Sequence, residues 1–318
     1  MYTKNKKILI LGGCGYVGSY LTNYLYKKGY NITVFDTQWF GKNISKKIKV
    51  KIIKGDVRDI EKISFKGFHS IIHLANIAND PSVALNPTLS WEVNVFSSYL
   101  IIKKAANEGV KNFIYGSSGS VYGIKKEKDV TEDLDLKPIS IYNKTKMIAE
   151  RIFMSFEKDI KVFSIRPATV CGFSPRMRLD VTVNLLTFQA LTNKKMTIFG
   201  GKQIRPNINI IDMARVYEHF ISNKHIQSGF YNAGFENLSI IDIAKKIRSF
   251  IPSEIIIKKV FDERSYRQNS DKLLKTGFEQ LYSVEDAIKS LIEKYKSGSL
   301  RDNKKFHTVA WLQKKQII

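Results

Sequence analysis

The chain has 318 residues, of which 43% are hydrophobic and 25% are charged, a composition typical of an ordinary globular protein. Lys and Arg outnumber Asp and Glu by 52 to 29, but the lysines are spread along the chain without a long basic run or an aromatic–basic alternation. The positive charge therefore favours a phosphorylated small molecule as ligand, and we expect no nucleic-acid binding.

No apolar run reaches the roughly 20 residues that a membrane span requires, so we expect no membrane span. The apolar residues 8–11 follow lysines but end at Gly12, and this stretch is shorter than the ~7–15 residues of a signal-peptide core. We therefore expect a cytoplasmic protein. Cys14 and Cys171 lack metal or disulfide spacing and are interpreted as packing residues, and the histidines also lack metal spacing, so we expect no metal.

Strands and helices alternate over the first half of the chain. The hydrophobic pattern predicts strands at residues 6–11, 31–35, 50–53, 70–74, 112–115 and 162–165, and helices at 19–28, 87–107 and 141–156. Continuous apolar runs suit strands that are buried on both faces of a parallel sheet. The predicted fold class is therefore α/β, with a doubly wound parallel (Rossmann) sheet.

The alternation weakens after Pro167. Here the pattern predicts helices at residues 179–192 and 211–222, and short strands at 196–199, 207–210 and 230–232. Residues 239–250, 254–260 and 283–295 complete a smaller mixed region. These elements predict a smaller mixed α/β lobe that packs closely on the first, since no Pro/Gly/Ser linker separates the two. The polar tail contains an apolar patch at residues 309–312, interpreted as a docking tail or a short terminal helix, with a contact to a partner as the alternative.

A glycine-rich turn joins the first predicted strand to the first helix. Gly12, Gly15 and Gly18 form a Gly-x-x-Gly-x-x-Gly pattern, with Gly13 as a fourth glycine. Such a turn lets the backbone approach a pyrophosphate at a helix N-terminus. Asp36 ends the second strand, where a carboxylate accepts hydrogen bonds from ribose hydroxyls and repels a 2′-phosphate. The pattern therefore predicts NAD rather than NADP.

Tyr142 and Lys146 are four residues apart in a predicted helix, so their side chains share one face. A tyrosine is a poor base at neutral pH because its usual pKa is about 10, and a nearby ammonium group favours the phenolate. Ser118 lies upstream, after the fifth predicted strand. The Tyr-x-x-x-Lys pattern is weak alone, but its position after a dinucleotide-binding turn predicts an oxidoreductase-type active site.

Together these motifs resemble the extended short-chain dehydrogenase/reductases of the NAD-dependent nucleotide-sugar epimerase/dehydratase family. The matching segments include residues 12–18 (GGCGYVG), 55–59 (GDVRD), 73–75 (HLA), 117–123 (SSGSVYG), 142–146 (YNKTK), 166–170 (RPATV) and 205–208 (RPNI). Asn94 and Asp212 continue the match, and the resemblance extends to about residue 295.

The resemblance implies a role for each matching residue. Tyr142 would be the general base on a sugar hydroxyl, Ser118 would hydrogen-bond the same hydroxyl, and Lys146 would bind the nicotinamide ribose and lower the pKa of Tyr142. Ser117 and Ser120 are nearby alternatives to Ser118. The cofactor-binding residues would be Gly12, Gly15, Tyr16, Val17, Gly18, Asp36, Asp56, Val57, Leu74, Ala75, Asn94, Lys146 and Pro167. For Asp56, a helix N-cap is a compatible second role. His73 is interpreted as a packed histidine.

The substrate implied by the resemblance is a nucleotide-diphosphate sugar. Arginine suits the bidentate capture of a pyrophosphate, and Arg176, Arg178, Arg205, Arg264 and Arg267 all lie in the second half of the chain. Arg205 is the first choice and Arg267 the second, whereas the others are equally compatible with surface salt bridges. The predicted substrate-binding residues are Asn76, Ser118, Tyr142, Arg178, Asn184, Arg205 and Arg267, with a turn as the alternative role for Asn76.

One departure from the family pattern bears on the reaction. The 4,6-dehydratases of the family carry an Asp-Glu pair directly after the Ser/Thr, whereas this chain has Gly119 and Ser120. The leading hypothesis is therefore an NAD-dependent nucleotide-sugar 4-epimerase that acts through a transient 4-keto sugar, for surface polysaccharide precursors. The alternatives are a nucleotide-sugar 4-dehydrogenase or 4-ketoreductase, including a nucleotide-heptose enzyme, a 4,6-dehydratase, and a non-catalytic NAD sensor.

The resemblance also predicts the domain organisation and the assembly. Residues 1–169, with return segments near 205–232, would form the NAD-binding Rossmann domain. Residues 170–204 and 233–300 would form the substrate-binding lobe, and residues 301–318 the C-terminal tail. In the family, the helices that correspond to residues 87–107 and 141–156 pair across a two-fold axis, so we expect a homodimer.

Overall fold

The computed structural model describes residues 6–259 and 265–317, and its strands form one large sheet and two small ones. The strands are, in chain order, β1 (Lys7–Leu11), β2 (Asn31–Asp36), β3 (Lys51–Lys54), β4 (Ser70–His73), β5 (Asn112–Gly116), β6 (Lys161–Pro167), β7 (Thr169–Cys171), β8 (Lys195–Phe199), β9 (Ile204–Asn209), β10 (Gly229–Ala233), β11 (Glu236–Ser239) and β12 (Glu254–Lys258). The large sheet has the order β10-β6-β5-β4-β1-β2-β3, and all of its pairings are parallel.

Helices cover both faces of the large sheet. They are α1 (Tyr16–Lys27), α2 (Asp80–Leu85), α3 (Pro87–Trp91), α4 (Ser97–Asn107), α5 (Ile141–Met154), α6 (Thr182–Asn193), α7 (Ile210–Ser222), α8 (Ile240–Phe250), α9 (Asp271–Leu274), α10 (Val284–Lys296) and α11 (Thr308–Lys314). Helices α1 and α7 pack on one face, and α4 and α5 pack on the other. The predicted doubly wound α/β class is therefore confirmed.

The alternation of side chains along β1 shows why this strand lies at the centre. Ile8 and Ile10 point into the core beneath α1 and α7, whereas Leu9 and Leu11 point into the core beneath α4 and α5. All four side chains are fully buried. A strand with four consecutive apolar residues buries both of its faces, which requires a layer of helices on each side.

The predicted element bounds differ from the structure where turns begin or interrupt helices. Helix α1 begins at Tyr16, earlier than predicted, because Gly15 is its N-cap and the glycine turn runs directly into it. The predicted helix at 87–107 consists of α3, a widened turn at Glu92–Phe96, and α4. The short elements α2, β7, β11 and α9 were not predicted, and residue 260 of the predicted segment 254–260 lies outside the described residues.

The second half of the chain forms a smaller lobe at the carboxyl edge of the large sheet. Strand β9 pairs with β7 in parallel and with β11 antiparallel, and β8 pairs with β12 in parallel. Helices α6, α8 and α10 cover these sheets with their own apolar core. The predicted mixed α/β lobe is present, and its assignment to substrate binding stays a prediction.

The apolar patch of the C-terminal tail lies in helix α11, which docks on the protein. Leu312 is buried, and the Trp311 indole N–H donates a hydrogen bond of 2.9 Å to the Trp39 carbonyl. The tail is thus both a short terminal helix and a docked segment.

A buried ion pair joins α5 to the end of β6. The Arg166 guanidinium donates two 3.0 Å hydrogen bonds to the Glu150 carboxylate and one of 2.8 Å to the Tyr122 hydroxyl. The Gln268 side-chain amide of the second lobe donates to the Arg166 carbonyl at 2.7 Å. This network fixes β6 against both α5 and the second lobe.

We expect Glu150→Gln to destabilise the fold by about 3–5 kcal/mol, because it leaves a buried guanidinium without its counter-charge. Urea denaturation measures the free energy of unfolding. Glu157→Gln, at an exposed position beyond the same helix, is the control and should change stability by less than ~0.5 kcal/mol. Equal effects of the two substitutions would contradict a structural role for the pair.

Candidate active site

The glycine turn after β1 is shaped by close backbone contacts. Gly12 has a φ of +86°, and a Cβ there would lie 2.5 Å from the Ala75 nitrogen. A Cβ on Gly18 would lie 2.2 Å from the Gly12 carbonyl oxygen. A Cβ on Gly15, by contrast, meets the protein only at 3.4 Å. The fold itself therefore requires Gly12 and Gly18, whereas Gly15 leaves open the space in front of the α1 N-terminus.

Asp36 lies at the end of β2, beside a pocket of about 110 Å³. Its carboxylate accepts hydrogen bonds from the backbone N–H groups of Cys14 (2.9 Å) and Gln38 (2.6 Å), while burial raises its pKa. Asp56 lines the same pocket and also caps a helical turn by accepting from the Arg58 N–H at 2.9 Å. Both compatible roles of Asp56 are therefore geometrically possible. The predicted residues Val57, Leu74 and Ala75 complete the wall.

A cleft of about 700 Å³ continues from the glycine turn to the second lobe. Parallel strands end at the same edge of a sheet, and this edge forms the floor of the cleft. The structure brings together most of the predicted site residues here: Gly12, Gly15, Tyr16, Val17, Gly18, Leu74, Asn76, Ser118, Tyr142, Lys146, Pro167, Arg178 and Arg205.

Tyr142 and Lys146 lie one helical turn apart at the start of α5. The Lys146 ammonium donates a 2.7 Å hydrogen bond to the Gly116 carbonyl and lies 5.9 Å from the centre of the Tyr142 ring. Burial lowers the pKa of Lys146 to about 7 and raises that of Tyr142 to about 12. A hydrogen bond with Ser118 and the charge of Arg178 act in the opposite direction on the pKa of Tyr142. Desolvation is thus the largest influence on both groups.

The three candidate serines after β5 have different surroundings. The Ser118 hydroxyl interacts with the Ser120 hydroxyl at 2.8 Å and caps the helical turn Gly119–Tyr122. Ser118 also hydrogen-bonds Tyr142, whereas the buried Ser117 hydroxyl has no partner among the described residues. Ser118 is therefore the serine best placed to share a substrate hydroxyl with Tyr142.

The predicted arginines do not all reach the cleft. Arg178 lines it and is paired with Asp180 at 2.8 Å, and Arg205 lines it on the side of the second lobe. Arg267 is exposed and does not line the cleft, whereas its neighbour Tyr266 does. Arg264 lies outside the described residues.

Two predicted binding asparagines are held within the protein. Asn94 is fully buried, accepts from the Ile77 N–H at 2.9 Å and donates to the Ile77 carbonyl at 3.1 Å. Asn184 accepts from the Gly172 N–H at 2.9 Å and donates to the Tyr16 hydroxyl at 3.0 Å. Neither lines the cleft, so in this structure both fix segments that do.

Several cleft residues were missed by the sequence analysis. They include Trp39, Phe40, Tyr266, Thr308 and Leu312. The aromatic pair directly after β2 was a usable signal, since that loop borders the predicted ribose site. The contribution of the C-terminal tail had no signal, because a contact between such distant segments depends on the complete fold.

The lining of the cleft suits a polar dinucleotide. The buried polar atoms Asn76 Nδ2, Ser117 Oγ and Arg176 Nε have no partner among the described residues. All three side chains line the cleft, next to the open space at Gly15. Buried polar groups normally have partners, so these atoms are consistent with a polar ligand in the cleft.

Within residues 6–259 and 265–317, no cluster of three or more His, Cys, Asp or Glu side chains is arranged to hold a metal ion. In the same ranges, no helix has the length and apolar character needed to cross a membrane.

Comparison with known proteins gives a family. Residues 8–234 match the model of the NAD dependent epimerase/dehydratase family. The UDP-glucose 4-epimerase of Lactobacillus helveticus is 28% identical, over 76% of this chain and 81% of that protein. The dTDP-D-glucose 4,6-dehydratase of Dictyostelium discoideum is 30% identical, over 76% of this chain and 61% of that protein.

A solved structure has the same fold. The UDP-glucuronic acid 4-epimerase of Bacillus cereus, in complex with UDP-glucuronic acid and NAD, is 23% identical and superposes with a TM-score of 0.80, covering 92% of this chain and 99% of that chain. This chain therefore belongs to the NAD-dependent epimerase/dehydratase family, and its cofactor is NAD. The predicted family and cofactor are confirmed.

The glycine contacts predict different effects for two alanine substitutions. Gly15→Ala should leave the melting temperature unchanged but raise the Kd for NAD about 10- to 100-fold, since the methyl group would occupy space that the diphosphate needs. Gly18→Ala should destabilise the fold by about 3 kcal/mol or more, because its methyl group would overlap the Gly12 carbonyl. Calorimetry of both variants checks this, and loss of stability in Gly15→Ala would contradict it.

Proposed function

We propose that the protein is an NAD-dependent nucleotide-sugar 4-epimerase that acts through a transient 4-keto sugar and supplies precursors of surface polysaccharide. The observation that carries the proposal is the position of Tyr142, Ser118 and Lys146 together in the cleft that begins at the glycine turn. The similarity to UDP-glucose 4-epimerases supports a nucleotide-sugar substrate.

In the proposed reaction, Tyr142 takes the proton of a sugar hydroxyl while Ser118 hydrogen-bonds the same oxygen. Bound NAD supplies a hydride acceptor and donor. A positively charged nicotinamide ring held beside the phenol would lower its pKa from the value of about 12 that burial imposes. Lys146 keeps its ammonium at the Gly116 carbonyl, and from there it would bind the nicotinamide ribose.

The surroundings of Gly119 argue against water elimination. A Cβ at this position would lie 3.0 Å from the Tyr266 hydroxyl and 3.2 Å from the Gln268 side-chain oxygen Oε1. A carboxylic acid therefore has no room at position 119 unless these side chains move. Because Ser120 is no acid at neutral pH, the site lacks the acid–base pair of a 4,6-dehydratase.

The fate of the hydrogen on C4 of the sugar tests the proposal. UDP-glucose, UDP-N-acetylglucosamine and UDP-glucuronic acid, each deuterated at C4, are incubated with the NAD-loaded protein, and products are analysed by NMR and mass spectrometry. We expect one of the pairs to interconvert at C4 with deuterium retained and without added NAD. Stoichiometric formation of NADH would instead identify a dehydrogenase, and no turnover of these or other nucleotide sugars would contradict the proposal.

Tyr142→Phe should lower kcat roughly 100- to 10,000-fold, because it removes the group that we propose as general base. NAD content should stay at the wild-type level, since the phenol hydroxyl is not needed to hold the dinucleotide. Tyr26→Phe, at a half-buried tyrosine on α1 that does not line the cleft, is the matched control and should keep full activity. A Tyr142→Phe enzyme with wild-type kcat would exclude this tyrosine as the base.

We also propose that the protein is a homodimer. Phe96, Tyr99 and Leu100 at the start of α4 expose 66%, 49% and 41% of their surfaces. Ile139 and Ile141, beside and at the start of α5, are also exposed. Large apolar side chains clustered on two helices favour a partner surface, and an isologous pairing of α4 and α5 would cover both at once.

Leu100→Glu should convert the dimer into a monomer at micromolar concentration, because it buries a charge at the centre of the proposed contact. Size-exclusion chromatography with light scattering measures the mass of each variant. Leu281→Glu, at an exposed leucine far along the chain, is the control. A wild-type protein that is monomeric would overturn the proposed assembly.

A further inference from the structure

Arg176 is a buried arginine next to the glycine turn. Only 3% of its surface is exposed, and its side chain lines the cleft. Its backbone N–H donates to the Ser19 hydroxyl at 3.3 Å, and the Ser174 hydroxyl donates to the Tyr16 carbonyl at 2.7 Å. This segment therefore packs against the first turns of α1, at the helix end that faces the cleft.

The guanidinium of Arg176 has contacts but no counter-charge. It stacks on the Phe40 ring at 4.0 Å, and donates to the Thr308 hydroxyl at 2.9 Å and weakly to the Met177 carbonyl at 3.4 Å. Its Nε atom has no partner, and no ion pair with a carboxylate is formed among the described residues.

The nearby Asp180 attracts Arg176 through space but forms its direct ion pair with another arginine. Its carboxylate is held by two hydrogen bonds from Arg178, at 2.8 and 3.0 Å. The Thr308 hydroxyl bridges the side chains of Asp180 and Arg176. The pair of arginines and one aspartate therefore leaves one positive charge in the wall of the cleft.

A buried cation without a counter-ion is costly, and an anionic ligand removes that cost. The α1 N-terminus presents backbone N–H groups and the positive end of a helix dipole to the same space. We propose that Arg176 binds the diphosphate of the dinucleotide cofactor, opposite the glycine turn, and that the C-terminal helix holds it there through Thr308.

Helix α11 also holds the loop on which Arg176 stacks. Its Trp311 indole donates to the Trp39 carbonyl, next to Phe40, and its Leu312 side chain lines the cleft. The C-terminal helix thus supplies the hydroxyl at the tip of the guanidinium and holds the residue next to the aromatic ring beneath it. By this proposal the tail is part of the cofactor site, although it carries no recognisable motif.

Three variants and one control test the proposal. Arg176→Met removes the charge, Arg176→Lys keeps it, and Thr308→Val removes only the positioning hydroxyl. Arg301→Met removes an exposed arginine of the same tail, which contacts the Tyr295 carbonyl at 2.8 Å and does not line the cleft. The rate of NAD release from the purified holoenzyme is followed by exchange with excess labelled NAD, and Kd values for NAD, NADP and UDP are measured by calorimetry.

We expect Arg176→Met to weaken NAD binding about 10- to 100-fold, as for the loss of a charge-assisted hydrogen bond to a phosphate. Arg176→Lys should recover most of the affinity, Thr308→Val should weaken NAD binding by a smaller factor, and Arg301→Met should have no effect. The Kd for UDP should stay unchanged in the NAD-loaded variants. These readouts do not depend on the sugar chemistry proposed above.

Three results would overturn the proposal. The first is a folded Arg176→Met variant whose Kd for NAD is within about 3-fold of wild type. The second is a selective loss of UDP affinity, which would assign the arginine to the substrate diphosphate, or a selective loss of NADP affinity, which would assign it to a 2′-phosphate. The third is an Arg176→Met variant that does not fold while Thr308→Val binds NAD as tightly as wild type.

Discussion

The hydrogen bond from the Lys146 ammonium to the Gly116 carbonyl ties helix α5 to the end of β5. Everything proposed for the site depends on this tie, because it sets the distance between the phenol on α5 and the strand ends that form the floor of the cleft. The buried pair of Arg166 and Glu150 fixes the other end of the same helix against β6. The start of α5 is therefore held at a fixed height above the sheet.

Burial shifts the pKa values of the tyrosine and the lysine of the site. Desolvation raises the pKa of Tyr142 and lowers that of Lys146, so each group is moved towards its neutral form. Such a pair is responsive to added charge: a cationic ring beside the phenol shifts its proton equilibrium more strongly here than in water. Arg176 is a buried cation in the wall of the same cleft, and we propose that it binds an anion. The cleft therefore contains groups that suit the charges of a dinucleotide.

The sheet and the glycine turn could be predicted because their signals are local. The run at residues 8–11 alternates between two buried faces, and Gly12, Gly15 and Gly18 lie at the spacing of a tight strand-to-helix turn. The Tyr142 and Lys146 motif follows the glycine turn in the sequence, and this order predicted a common site. In the structure both residues line the cleft that begins at the turn.

The positions of other residues depend on tertiary packing. Asn94 matched a motif, and in this structure its amide hydrogen-bonds the backbone N–H and carbonyl of Ile77 and does not line the cleft. Arg267 is exposed whereas its neighbour Tyr266 lines the cleft, and one-residue differences of direction in an irregular segment leave no pattern in the sequence. Thr308 reaches the cleft from the last turns of the chain, and no periodicity predicts that contact.

A crystal structure of the protein with NAD and UDP tests the central claim most directly. We expect the dinucleotide diphosphate between Gly15 and the Arg176 guanidinium, the nicotinamide beside Tyr142, and the UDP diphosphate on the side of Arg205. The sugar position between them would then lie within hydrogen-bonding reach of the phenol. A dinucleotide bound elsewhere, or a nicotinamide ring remote from Tyr142, would contradict the account.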